Sequence, residues 1–196
     1  MRTFALSLAV MLFAVPATAA TLADVAAALK ATTSLSADFT QTGADGKQQA
    51  GRMLLARPGK IRFQYDKAKL LIVGNGKTLT FVDYRVNQVS QWPVKSTPLG
   101  ILLASDPDLS GVAKIAQVTD DGVIVEARDP KRPEFGSLAI MFRNDDKAPG
   151  GLALVGWTSF DAQGGRTTVQ LSNISTNADL SKADFGFVDP RRPFTR

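Results

Sequence analysis

The sequence predicts a mainly β chain, an antiparallel meander of eleven short strands with one helix ahead of it and a second, very apolar helix within it. Three observations carry that reading. Runs of alternating apolar and polar residues, the period of a half-buried strand, recur from Ser36 onward. Turn pairs punctuate them at Asp45-Gly46, Pro58-Gly59, Asn75-Gly76, Asp121-Gly122, Gly150-Gly151 and Gly164-Gly165. Asn-Gly and Asp-Gly between alternating runs are strong short-range hairpin signals, and tight turns join most of the runs.

At the start, MRTFALSLAVMLFAVPATAA has a cation at Arg2, an apolar stretch from Phe4 to Val15 and a small-residue end. That is the layout of a cleaved secretory signal, too short in its apolar part for the ~20 residues of a spanning helix. The expected organisation is a signal over residues 1–20 and a single domain over 21–196. Next, LADVAAALKATTSL spaces alanine and leucine at helical intervals behind Thr21, a candidate N-cap. The strands are expected at 36–42, 48–57, 60–66, 69–74, 77–83, 88–94, 112–119, 122–128, 137–143, 152–160 and 166–174. Between the sixth and seventh, Thr97 to Ala104 reads as a short apolar helix with Pro98 near its first turn. Residues 177–184 are polar and read as a single turn or loop.

Strand parity separates the faces. Ile61, Phe63 and Tyr65 point one way and Arg62, Gln64 and Asp66 the other; Leu138, Ile140 and Phe142 form another apolar set. Met53 and Leu55 share their face with Arg57, so a guanidinium stands at the apolar end of a strand. Such a group needs carbonyls or a carboxylate within reach. The alternative is that the strand frays at Arg57-Pro58 and the side chain reaches solvent.

Composition removes several chemistries. The 196 residues contain no histidine and no cysteine. The usual general base, the commonest metal ligand, thiol catalysis and disulfides are therefore absent. The carboxylate pairs Asp120-Asp121 and Asp145-Asp146 fall in expected turns, where aspartate serves turn geometry. Gly74-Asn75-Gly76-Lys77 lacks the strand-to-helix setting of a phosphate loop. No catalytic residue, metal or cofactor is expected, and the chain does not read as an enzyme. The 23 basic and 18 acidic side chains leave a charge of +5, scattered rather than clustered. That favours an anionic membrane surface or an acidic protein over nucleic acid, with ordinary solubilising charge as the other reading. The apolar helix over 97–104 is either a plug completing the core or a lid over a cavity, and composition leaves both open.

The order of certain residues adds a resemblance. Phe39-Thr40-Gln41, the basic-aromatic run from Arg57 to Tyr65, Gly76 to Leu79, Pro98 to Leu103 and the late ADFGFVDP resemble the LolA family of periplasmic outer-membrane lipoprotein carriers, over essentially the whole mature chain. The resemblance implies an incomplete, strongly curved antiparallel β-barrel of about eleven strands, closed by a short α-helical lid over an apolar cavity. It implies lipoproteins as cargo, an inner-membrane ABC-type releasing transporter as donor and an outer-membrane acceptor, often LolB. A periplasmic monomer is expected. In that frame Met53, Leu55, Ile61, Phe63, Tyr65, Phe81, Leu138, Ile140 and Phe142 would line the acyl cavity. Leu99, Leu102 and Leu103 would belong to the lid, and Arg57 would be the latch, bonded to lid carbonyls. Phe63 stands where the family commonly has tryptophan. Other readings are a lipid-sensing module of the same fold, a β-rich structural or adhesive protein, and a carboxylate-based glycan hydrolase.

Overall fold

The computed structural model describes residues 20–97 and 99–191; the expected signal, Pro98 and the last five residues lie outside that range. Helix α1 (Leu22–Ala31) starts where Thr21 and Asp24 form a reciprocal capping box, the Thr21 amide donating to Asp24 Oδ2 at 2.8 Å. Its buried side is Val25, Ala28 and Leu29. The strands then follow as β1 (Ser34–Thr42), β2 (Gln48–Ala56), β3 (Lys60–Tyr65), β4 (Leu70–Asn75), β5 (Thr78–Asp83) and β6 (Gln88–Pro93). Helix α2 (Leu99–Leu103) precedes β7 (Ala113–Thr119), β8 (Gly122–Ala127), β9 (Ser137–Asn144), β10 (Leu152–Phe160) and β11 (Arg166–Thr176). All eleven expected strands are present, with ends moved by no more than two residues. Residues 177–184 hold turns and no regular element.

These strands make one antiparallel sheet in the order β6-β5-β4-β3-β2-β1-β11-β10-β9-β8-β7. The first and last strands pair in its middle, Phe39 opposite Leu171 and Gln41 opposite Val169. The free edges are therefore β6 and β7, strands consecutive in sequence, and the barrel stays incomplete between them. The connection over 94–112, which carries α2, has to run from one edge to the other. Helix α1 packs against β7, β10 and the turn over 149–151.

One core fills the concave side, with Leu35, Phe39, Met53, Leu55, Ile61, Leu102, Leu138 and Ile140 each no more than 2% exposed. The sheet is also covered outside. Leu71, Val73 and Val82 form a second cluster with Tyr84, Val89, Phe185 and Phe187. This explains why Leu70-Leu71-Ile72-Val73 does not alternate: a strand covered on both faces is apolar throughout. Arg62, on the outer side of β3, holds the covering segment by donating to the Gly186 carbonyl at 2.9 Å and the Asp184 carbonyl at 3.3 Å. Lys60 Nζ lies 5.8 Å from the centre of the Phe185 ring. Phe187→Ala is expected to lower unfolding stability by about 2 kcal/mol, below the range for a fully buried phenylalanine because this one is half-buried. Chemical denaturation measures it.

Candidate functional site

The Arg57 guanidinium stands where two helix ends meet. The last turn of any helix leaves carbonyls without intrahelical partners, and cations are favoured there. Arg57 Nε and Nη2 donate to the Leu102 carbonyl of α2 at 3.1 and 2.7 Å. Its Nη1 donates to the Leu29 and Thr32 carbonyls at the end of α1. The next turn adds a backbone bond, Gly59 N–H to the Leu103 carbonyl at 2.9 Å. Strand β2 does not fray into solvent here, since the Arg57 amide donates to the Thr33 carbonyl at 2.9 Å. One side chain thus joins α1, α2 and the β2–β3 turn. Burial pushes its pKa down to about 10, still far above neutrality, so it remains a cation.

Beside α2 an apolar cleft of about 320 Å³ opens into the concave face. Of the residues expected around a cavity, Phe63, Tyr65 and Leu138 line it, with Leu99 from α2. Met53, Leu55, Ile61, Ile140 and Phe142 do not; they are buried in the core cluster that also holds Leu102 and Leu103. Phe81 stands half-buried at the margin of that cluster, also outside the cleft lining. Arg57 bonds both helices, and the space expected to be a cavity is for the most part filled by side chains packed on one another. The open part is the end near Leu99.

Sequence reasoning missed several lining residues: Ile72, Leu79, Phe135, Trp157 and Val169. Trp157 is 4% exposed and packs edge-on against Phe63, ring centres 6.0 Å apart, while Phe39 makes similar contacts with Phe63 and Tyr65 at 5.1 Å. Polar groups are few. The Tyr65 hydroxyl donates to Gln41 Oε1 at 2.7 Å, and burial pushes its pKa up to about 12. Thr97, Ser159, Phe160, Asp161 and Thr167 complete the lining. Neither Arg57 nor Tyr65 changes charge between about pH 6 and 8, and no histidine titrates there. Binding and release of an apolar ligand are therefore expected to stay constant, within about twofold, over that range. Equilibrium binding at three pH values checks this.

Among the described residues no helix is long and apolar enough to cross a membrane, and no cluster of acidic, histidine or cysteine side chains suits a metal. The family model described as "Outer membrane lipoprotein carrier protein LolA" matches residues 30–188. The chain belongs to the LolA family. A relative from Chromobacterium violaceum, named outer-membrane lipoprotein carrier protein, is 33% identical over 189 residues, covering 91% of this chain and 88% of its own. One of the same name from Chromohalobacter salexigens is 30% identical over 178 residues, covering 85% and 81%. The crystal structure of a LolA superfamily protein from Nitrosomonas europaea is 12% identical, covers 86% of this chain and 98% of that one, and has a TM-score of 0.47. The match reaches from the last turn of α1 to the segment that covers the outer face, and so includes Arg57 and the Thr32 and Leu102 carbonyls it bonds, with Leu29 just ahead of it.

Proposed function

We propose that this LolA-family chain is a periplasmic lipoprotein carrier, a chaperone rather than an enzyme, which holds the acyl chains of its cargo between the concave sheet and the two helices. The observation that carries the reading is the single guanidinium bonded to carbonyls of α1 and α2 at once, beside an apolar cleft. Relatives at about 30% identity named as lipoprotein carriers support it. The inner-membrane ABC-type transporter as donor, an outer-membrane acceptor such as LolB and the monomeric state belong to the same proposal.

The physical problem is release. A cargo of three chains with about 15 methylenes each, at ~0.8 kcal/mol per methylene, gains on the order of 35 kcal/mol by staying out of water. A carrier that only bound well would keep it. Here the empty state has its own stabilisation, because Arg57 and Gly59 satisfy the helix-end carbonyls and Leu102 and Leu103 are buried. Chains entering beneath α2 must displace those contacts. The loaded state is raised by that amount, and handing the cargo on lets the lid close again.

Protein purified from the periplasm of lipoprotein-producing cells is expected to carry acylated peptides, identified by mass spectrometry after organic extraction. Preparations free of lipid under conditions that preserve carrier complexes, and unable to take up a triacylated lipopeptide, would exclude this function.

A further inference from the structure

A second apolar compartment lies next to the cleft. It measures about 340 Å³ and is walled by Ile101, Ala104, Pro107, Val112 and Ala127, with Lys95 and Arg128 among its polar lining. Thr97 and Phe135 belong to both the cleft and this compartment, so they form the partition between them. Phe135 ends a short turn over Pro133–Phe135 in the β8–β9 connection. Gly136 follows at φ 73°, and a Cβ there would fall 1.8 Å from the Phe160 carbonyl, so the chain re-enters β9 at a fixed point. The turn is held on its other side by Arg132. Its Nη1 lies 3.3 Å from the Lys95 carbonyl and from Ser96 Oγ, its Nε pairs with Asp129 at 3.1 Å, and its guanidinium lies 5.7 Å from the Phe135 ring centre. Arg132 thus fastens a turn on the β8 side of the gap to the segment leading into α2 on the β6 side.

Volume argues for what fills the second compartment. A methylene takes up about as much room as a water molecule, which needs about 10–15 Å³ of cavity space, so a chain of 15 methylenes needs on the order of 200 Å³ and three chains about 600 Å³. The cleft of about 320 Å³ therefore has room for one or two such chains but not for three. We propose that Phe135 is a movable partition, and that on loading the Arg132 clasp opens, Phe135 swings aside and a further acyl chain of the same lipid occupies the compartment beneath Ile101. This rests on the carrier reading and adds the site of a further chain. The clasp suits the task, because half-exposed bonds of this length contribute little and are broken readily.

The chain has no cysteine, so Ser96→Cys with Arg132→Cys can be joined selectively by a short reversible bis-methanethiosulfonate spacer. Two probes separate the compartments: lauric acid, whose roughly ten methylenes need on the order of 100–150 Å³ of cavity space and fit the cleft, and a triacylated cysteine lipopeptide. The joined protein is expected to bind lauric acid but to bind the lipopeptide at least tenfold more weakly, and reduction restores the affinity. Val112→Trp, which fills the second compartment without touching the clasp, is expected to give the same selective loss and decides the matter should the spacer fail to join. Unchanged lipopeptide affinity in the joined protein or in Val112→Trp overturns the proposal. Failure of the unmodified protein to bind either probe instead removes the carrier reading beneath it.

Discussion

Arg57→Leu is expected to load acyl chains and then hold them, with transfer to acceptor membranes falling about a hundredfold. The substitution keeps the aliphatic bulk and removes every donor to the Leu29, Thr32 and Leu102 carbonyls. Leaving such half-buried acceptors unpaired costs about 1–3 kcal/mol each, less whatever water recovers. A net loss of about 3 kcal/mol in the empty state alone shifts the balance toward the loaded state about a hundredfold. The same variant should melt at a lower temperature when empty, yet gain more from added lipopeptide than the parent does. Transfer to vesicles, followed with a fluorescent triacylated lipopeptide, measures the first effect and thermal unfolding the second. Parent-like transfer by Arg57→Leu would remove the latch from the mechanism.

Leu102→Ala distinguishes a lid from a plug. Leu102, on α2, is 1% exposed, and its own carbonyl accepts from Arg57. Truncating a buried leucine costs about 2–5 kcal/mol. If α2 were ordinary core, that loss would lower stability and leave lipid affinity untouched. If α2 is displaced on loading, much of the lost packing belongs to the empty state only. Affinity for the lipopeptide should then rise about tenfold for each 1.4 kcal/mol so removed. Denaturation in the absence of lipid, paired with equilibrium binding, reads both quantities from one variant.

Most of the fold was legible because local signals agreed with one another. Turn pairs set off the alternating runs, and strand parity put Ile61, Phe63 and Tyr65, as well as Leu138, Ile140 and Phe142, on the buried side. Trp157 escaped because β10 carries a bulge: Leu154 pairs with Phe142, but Gly156 pairs with Met141. The extra residue shifts the parity, so Trp157 joins the face of Leu152 and Leu154 instead of the opposite one. Phe135 escaped for another reason, lying in a loop without periodicity. The role of the late Phe185 and Phe187 was hidden too, since nothing local says that they cover β4 and β5 from outside. Parity did place Arg57 on the apolar side, but its acceptors lie 25, 28 and 45 residues away in sequence, where tertiary folding alone brings them. Nor do apolar residues on an inward face reveal whether they line a hollow or fill it. Met53 and Phe63 share that face and belong to one core, yet only Phe63 also lines the cleft.

Whether α2 leaves the sheet when lipid enters is open to a distance measurement. Spin labels at Asp106→Cys, just beyond α2, and Lys77→Cys, in the β4–β5 turn, would be the sole thiols in the protein, and both positions are exposed. Pulsed electron resonance should give one short distance in the empty protein and a longer one once the triacylated lipopeptide is bound. An unaltered distance in protein shown to be fully loaded would mean that the helix is fixed core and that Arg57 latches nothing.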